Sequence, residues 1–289
     1  MAFSPEEAPT APQIVPVRTD DGARFELIVT RPSQPTARRA LLWLPAMGVP
    51  ARHYLPLAQA LAARGVTMAI HEWRGIGSSD RRAGRRTNWG YRELLQSDLA
   101  ASAAALADQL PGSSWAMGGH SLGGQLACLY AALHPQQVEG LVLVASGAPY
   151  WRAFPHPWSL RVAFHLAPLL ARLRGHLPGR RLGFAGNEAR GVIADWARSG
   201  RSGRYAAQGI VQDLDAALAT LHTPVLAIRL CDDWLVPAAS LDWLLGKLPH
   251  ATVQRLDLTT AALEGAPADH FAWMKAPAAV AHAIADWAR

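Results

Sequence analysis

The amino-acid sequence predicts an α/β fold, in which a mostly parallel central sheet carries helices on both of its faces. Short apolar runs alternate with longer helical patterns over most of the 289 residues. Most of the runs are apolar at several consecutive positions rather than at every second position, which is typical of parallel strands buried on both sides. Half of the residues are hydrophobic and 17% are charged, so the chain can bury a large core.

The first predicted elements follow a proline-rich start. Residues 1–13 contain three Pro and two Glu without a periodic pattern, and we expect a mobile arm there. They hold no basic start followed by an apolar run, so we expect no signal peptide. The pattern then predicts, in chain order, a strand at 40–45, a helix near 53–64, a strand at 66–70, a helix at about 91–110, a strand at 114–118, a helix at 122–133 and a strand at 138–145.

The alternation of strands and helices stops at Pro149 and resumes at Pro224. Between them we find helical segments and no convincing strand, which predicts a helical lid, residues 149–222, over the carboxyl edge of the sheet. The core is therefore expected in two parts, residues 14–148 and 223–289. The second part is predicted to hold a strand at 224–231, a helix at 238–248, a strand at 252–258 and a helix at about 271–289.

One segment indicates chemistry, the run MGGHSLGG at residues 117–124. Gly119, Ser121 and Gly123 fit the pattern G-x-S-x-G at the point where an apolar strand ends and a helix begins. A sharp turn there would project the Ser121 hydroxyl above the sheet, and small flanking residues let the strand and the helix approach closely. The helix N-terminus adds partial positive charge. We therefore predict that Ser121 is a catalytic nucleophile.

A serine nucleophile needs a base and an acid that orients the base. The expected chain order is serine, acid, histidine. Asp233 and His270 follow the last two predicted strands, and we predict them as the acid and the base. Asp232 is the alternative acid. Three other histidines fit the base less well, because they lie beside the nucleophile, before the last strand or inside the last helix: His120, His250 and His282.

An oxyanion hole is expected from two backbone N–H groups. The first is that of Leu122, the residue after the nucleophile. The second is that of Met47, in the loop Pro45-Ala-Met-Gly48 that follows the first predicted strand of the sheet.

Four motifs in this order resemble those of the α/β-hydrolase superfamily, and the resemblance runs from about residue 14 to the end. They are the loop at 45–48, Arg74-Gly-Ile-Gly-Ser78, Gly119-His-Ser-Leu-Gly123, and Asp233-x-x-Val-Pro237 followed by His270. The segments at 145–151 and 178–183 are similar, more narrowly, to bacterial hydrolases of the serine aminopeptidase and lysophospholipase-like group. One departure is Pro45-Ala46, where many members have His-Gly.

The resemblance and the predicted triad together imply a serine hydrolase that cleaves a carboxylic ester or a related acyl compound through an acyl-enzyme on Ser121. Relatives with Asp at the elbow, the epoxide hydrolases and haloalkane dehalogenases, do not fit Ser121. An acyltransferase with the same acyl-enzyme is the first alternative, and a lyase or cofactor-free haloperoxidase is a more remote one. A non-catalytic binding protein is the alternative from another class. We expect no cofactor and no metal, because no ligand spacing or dinucleotide fingerprint is present.

The net charge of +6 is concentrated in two arginine-rich segments. Residues 74–92 hold six Arg and one Asp, and residues 172–204 hold eight Arg and two acidic residues. No base-reading motif accompanies them, so we expect no nucleic-acid partner. They form either a solvated surface or an attraction for an anionic acyl substrate. The arginines expected near the nucleophile are Arg81, Arg82, Arg85, Arg86, Arg172, Arg174, Arg180 and Arg181.

The cysteine content and the most apolar stretch of the sequence indicate where in the cell the protein is expected. Two cysteines, Cys128 and Cys231, are compatible with a reducing environment, and we expect a cytoplasmic protein. The apolar stretch at 159–173 is short and interrupted by charge, so we expect no membrane span. The sequence does not predict the oligomeric state or the acyl chain length of the substrate.

Overall fold

A computed structural model describes residues 11–34 and 39–289, and it confirms the α/β class. The arm expected at the start falls mostly on residues 1–10, which lie outside the described residues. The described strands are β1 (Gln13–Arg18), β2 (Arg24–Thr30), β3 (Arg39–Leu44), β4 (Met68–Ile70), β5 (Ser114–His120), β6 (Leu141–Val144), β7 (His176–Pro178), β8 (Asn187–Ala189), β9 (Val225–Leu230) and β10 (Val253–Leu258).

Eight of these strands form one sheet in the order β1-β2-β4-β3-β5-β6-β9-β10. From β4 to β10 the neighbours are parallel, whereas β2 is antiparallel to both β4 and β1. In the register, Leu44 at the end of β3 lies opposite Gly119, and His120 at the end of β5 lies opposite Val144. The loops after β3, β5 and β6 therefore leave the sheet at neighbouring positions on its carboxyl edge.

Helices cover both faces of the sheet. Successive strand residues point to opposite sides, so Leu42 and Leu44 of β3 join one core while Leu41 and Trp43 join the other. The α-helices are α1 (Leu55–Ala62), α2 (Tyr91–Glu93), α3 (Leu99–Gln109), α4 (Leu122–Leu133), α5 (Pro157–Arg174), α6 (Gly179–Leu182), α7 (Arg190–Ser202), α8 (Leu214–Ala219), α9 (Ala238–Leu245) and α10 (Ala278–Ala288). The first core is covered by α3, α4, α8 and α9, and the second by α1 and α10.

Several elements differ from the sequence-based expectation. The β1–β2 hairpin was not predicted, and the segment expected to lack strands contains the short antiparallel pair β7–β8. The helix expected at 91–110 contains a wider π-helical turn, Leu94–Asp98, between α2 and α3. The helix expected at 271–289 is interrupted, because Ala276 precedes a proline and leaves the helical conformation.

Residues 149–222 leave the sheet after β6 and return before β9; we call them the inserted segment. They contain α5, α6, α7 and α8 together with the β7–β8 pair. Helices α5 and α7 pack against each other. In the described part of the chain, no helix has the length and apolar character needed to cross a membrane.

Candidate active site

The loops that follow β3, β5, β9 and β10 bring the predicted site residues to one edge of the sheet. Met47 lies in the first loop, Ser121 directly after β5, Asp233 after β9 and His270 in the loop after β10. Met47, Ser121, Leu122 and His270 all line one cavity. Asp233 lies behind His270 and is buried.

Ser121 occupies a strained turn between β5 and α4. Its backbone has φ 55° and ψ −118°, a conformation that side-chain-bearing residues rarely adopt. The turn is sharp enough that a Cβ on Gly119 would lie 2.3 Å from the carbonyl carbon of Gly123, and one on Gly123 would lie 2.1 Å from the carbonyl oxygen of Leu44. Glycine at both positions therefore allows β5, α4 and β3 to meet beneath Ser121.

His270 and Asp233 form a buried pair. Nδ1 of His270 lies 2.7 Å from Oδ2 of Asp233. The other carboxylate oxygen, Oδ1, accepts the backbone N–H groups of Leu235 and Val236 at 2.9 and 3.1 Å. Because the ionised carboxylate only accepts hydrogen bonds, Nδ1 donates and Nε2 of the neutral ring is left unprotonated. This is the tautomer that a general base requires.

The two neighbouring aspartates have different surroundings. Asp232 is exposed, and its Oδ2 accepts the hydroxyl of Thr260 at 2.9 Å. Asp269 accepts the N–H groups of Phe271 and Ala272 and so shapes the turn that carries His270. Among the described residues, neither carboxylate is hydrogen-bonded to the His270 ring, and Asp233 is the carboxylate that is.

Met47, in the loop after β3, and Leu122, the first residue of α4, both border the cavity. In the described chain, neither N–H has a hydrogen-bond acceptor, although Ala46 and Val49 on either side of Met47 and Gly48 are both bonded. Two free backbone donors beside a serine can bind a developing oxyanion. The departure at Pro45-Ala46 leaves the Met47 N–H available.

A tyrosine and a histidine outside the predicted set connect the Met47 loop to the end of β5, directly before Ser121. The Tyr54 hydroxyl oxygen accepts the N–H of Ala46 at 2.9 Å and lies 2.8 Å from Nδ1 of His120. Burial lowers the pKa of His120 well below its usual value, and the nearby His270 lowers it further, so the ring of His120 is neutral. Its ring centroid lies 4.6 Å from that of His270. Sequence spacing contains no signal for this connection, because Tyr54 and His120 are 66 residues apart.

Replacing Tyr54 with phenylalanine is expected to lower kcat about tenfold while KM changes less than about twofold, because an oxyanion contact acts mainly in the transition state. The buried Ala46 N–H would lose its acceptor, at a cost of about 1–3 kcal/mol in the free energy of unfolding. Steady-state kinetics and urea unfolding measure both quantities. Tyr130→Phe is the matched control, because that hydroxyl bonds Gln137 instead. An equal loss of kcat in Tyr130→Phe would contradict the positioning role.

The cavity has a volume of about 1290 Å³ and is largely apolar. The inserted segment contributes Leu160, Phe164, Leu182, Phe184 and Trp196 to its wall. None of the eight arginines expected near the nucleophile belongs to the lining among the described residues; the cationic side chains that do are Arg52 and Lys275. The two arginine-rich segments do meet, since the Arg85 guanidinium donates to the carbonyl of Leu173 at 3.3 Å. They meet outside the cavity wall.

A buried glutamate supports the part of the inserted segment that covers the Met47 loop. Gly186 packs so closely on Gly48 that a Cβ on Gly48 would lie 2.1 Å from the Gly186 nitrogen. Oε1 of Glu188 accepts the N–H of Gly186 at 3.0 Å. Burial raises the pKa of Glu188 to about 7, and the Gly186 N–H and the Arg180 guanidinium oppose that rise only in part.

The substitution Glu188→Gln is expected to stabilise the protein at pH 8 by about 3 kcal/mol and to have little effect near pH 4. The unfolded carboxyl loses its proton near pH 4.5 and the folded one near pH 7, so the free energy of unfolding of the wild type falls as pH rises through that window. Glutamine stays neutral and keeps an acceptor for Gly186. Urea unfolding of both proteins at the two pH values tests this, and an identical difference at both would contradict it.

Comparisons with known proteins cover most of the chain. A family model described as serine aminopeptidase, S33, matches residues 35–259. A pimeloyl-[acyl-carrier protein] methyl ester esterase of Nitrosomonas europaea is 31% identical over an alignment of 174 residues, which covers 55% of this chain and 69% of that protein.

Two solved structures are similar over nearly the whole fold. The esterase domain of a Rhodothermus marinus protein has a TM-score of 0.63 at 17% identity, covering 96% of this chain and 98% of its own. A thermophilic esterase from Thermogutta terrifontis has a TM-score of 0.62 at 18% identity, covering 95% of this chain and 97% of its own. At these identities the likeness supports the fold.

Proposed function

The chain belongs to the serine aminopeptidase S33 family and is an α/β-hydrolase, and from that premise we propose that it hydrolyses carboxylic esters through an acyl-enzyme on Ser121. The family membership agrees with the resemblance carried by the four sequence motifs. The observation that carries the proposal is the buried Asp233–His270 pair, joined at 2.7 Å, with His270 and Ser121 lining the same cavity.

The proposed mechanism uses groups already described. Oγ of Ser121 attacks the ester carbonyl carbon while Nε2 of His270 takes the hydroxyl proton. The N–H groups of Met47 and Leu122 stabilise the resulting oxyanion. The intermediate collapses, the C–O bond to the alcohol breaks, and His270 returns the proton to the leaving alkoxide. Water, deprotonated by His270, then attacks the acyl carbonyl. The C–O bond to Ser121 breaks, His270 returns the proton to Oγ of Ser121, and the carboxylic acid leaves.

We expect the apolar part of the substrate to pack against the side of the cavity formed by the inserted segment. Aromatic and aliphatic side chains there, among them Phe164 and Trp196, would bury methylene groups. Each buried methylene contributes about 0.8 kcal/mol, or about fourfold in affinity. The name of the Nitrosomonas europaea relative, a methyl ester esterase, supports a carboxylic ester as the bond that is cleaved.

A fluorophosphonate probe and a matched series of p-nitrophenyl esters test this proposal. We expect stoichiometric labelling of Ser121 and a kcat/KM that rises at least tenfold from the acetyl to the octanoyl ester. Absence of labelling would favour the non-catalytic binding protein. Adding an alcohol or amine acceptor distinguishes the acyltransferase, because transfer would yield a new ester or amide in place of the free acid.

A second part of this proposal is a preference for anionic substrates. Arg52 and Lys275 line the cavity and the arginine-rich segments do not, so we assign the attraction of the anion to Arg52 and Lys275. An anionic ester of equal length is expected to be favoured a few-fold at low ionic strength and not at high ionic strength. Arg52→Gln should reduce that preference and Arg81→Gln should leave it unchanged. Equal kcat/KM values for both esters at low salt would contradict the preference.

A further inference from the structure

Helix α5 of the inserted segment exposes a continuous apolar stripe. Its members are spaced by four, four, three and four residues, which at 3.6 residues per turn confines them to an arc of about 80° and a length of about 22 Å. The exposed side chains of this stripe are Trp158 (66%), Val162 (55%), Leu166 (57%), Leu169 (53%) and Leu173 (64%).

The opposite side of the same helix performs the packing. Leu160 and Phe164 line the cavity, and Ala171 is buried in a small cluster with Leu177. The core-facing side of the helix therefore packs without the side chains of the stripe. Single exposed apolar residues are ordinary on protein surfaces, but five on one face of one helix indicate a surface that contacts a partner.

Positive charge lies beside the stripe and at its end. By helical position, Arg161 and Arg172 lie along one border, and Arg174 is the last residue of the helix. The Arg161 guanidinium lies over the rings of Trp151 and Trp158, at 5.1 and 5.4 Å from their centroids. None of these three arginines forms an ion pair within the described chain. The sequence contains no acidic residue between Glu139 and Glu188.

We propose that the outer face of α5 docks on the surface of an anionic lipid bilayer. The apolar stripe would enter the boundary between headgroups and acyl chains, and the flanking arginines would extend to the lipid phosphates. Trp158, at one end of the stripe, has the amphipathic ring that favours this boundary. A second copy of the chain fits less well, because two such stripes in contact would bring arginines together with no carboxylate between them.

The length of the stripe, about 22 Å, fits an extended partner surface. A helix lying in the plane of a membrane uses its whole outer face at once, and an apolar arc bordered by arginines is the pattern that such helices show. The docking does not depend on the proposed esterase function, so the two are tested separately.

Co-sedimentation of the full chain with vesicles tests the proposal. Vesicles of phosphatidylcholine alone are compared with vesicles in which a third of the lipid is phosphatidylglycerol, at low and at high salt. We expect binding to the phosphatidylglycerol vesicles that weakens as salt rises, and much weaker binding to phosphatidylcholine. The Ser121→Ala variant is expected to bind like the wild type, which separates docking from catalysis.

Variants separate the apolar and the charged contributions. Leu166→Glu is expected to lower the partition coefficient at least tenfold. The matched control is Val211→Glu, which makes the same kind of change at a fully exposed apolar residue outside α5 and should alter binding less than about twofold. Arg161→Gln and Arg172→Gln should each cost about fivefold on anionic vesicles and little on phosphatidylcholine. Circular dichroism melts check that each variant is folded.

Three results would overturn the proposal. One is no binding to phosphatidylglycerol vesicles at low salt. Another is unchanged binding by folded Leu166→Glu. The third is that the stripe binds a protein and not a vesicle. In that case sedimentation velocity would show a dimer, or a complex with an acidic acyl-carrier protein, and Leu166→Glu would disrupt it.

Discussion

Replacing Ser121 with alanine is expected to abolish ester hydrolysis and to leave the fold unchanged. The substitution removes only the hydroxyl oxygen, and alanine can occupy the same strained backbone conformation, φ 55°, that serine already adopts there. Loss of the nucleophile in a studied serine protease lowers kcat by about a millionfold, because the base and the acid have no function without it. Initial rates with a p-nitrophenyl ester measure the loss, and thermal unfolding checks the fold.

The control for Ser121→Ala is Ser202→Ala, the same change at an exposed serine at the end of α7. It should retain wild-type kcat. Active-site titration with the fluorophosphonate probe excludes a contaminating esterase, since the wild type should be labelled and Ser121→Ala should not. If the titrated variant kept more than a tenth of the wild-type rate, Ser121 would not be the nucleophile.

The central strands could be predicted from the sequence because most of their consecutive positions are apolar and helical patterns lie between them. The sharp turn at residues 119–123 could also be predicted, since its pattern lies within five consecutive residues, although the contact that requires Gly123 is with Leu44 of the neighbouring strand. Both signals are local. The roles of Ser121, Asp233 and His270 remain predictions that the variants described here test.

Features that depend on distant contacts were not predictable. Strands β7 and β8 have three residues each and include Pro178 and Asn187, which have low strand propensity, so only their pairing defines them. The hydrogen bond between Tyr54 and His120 joins two segments that no sequence pattern relates to each other. The arginine-rich segments illustrate the same limit. The two segments meet at Arg85 and Leu173, but none of the eight arginines lines the cavity, because the direction of each side chain depends on turns that periodicity does not describe.

The second large effect is expected at the acid, where Asp233→Asn should lower kcat by about 10⁴-fold, the size of effect that this change has in a studied Ser-His-Asp triad. The asparagine oxygen can still accept the N–H groups of Leu235 and Val236, so the loop should keep its shape. Its NH₂ group would then face Nδ1 of His270 and donate to it. That contact favours the tautomer with the proton on Nε2, which cannot accept the proton of Ser121.

The adjacent Asp232 supplies the discriminating comparison, because Asp232→Asn makes the same chemical change one residue away. Its oxygen can still accept the Thr260 hydroxyl, which lies 2.9 Å from Oδ2 in the wild type and helps to join this loop to the loop of His270. Since neither change should disturb the fold, the ratio of the two kcat values reports which carboxylate orients the base. We expect Asp232→Asn to lose less than about tenfold, far below the loss at Asp233. The reverse ranking would assign the acid to Asp232 and would require the His270 ring to change its partner during turnover.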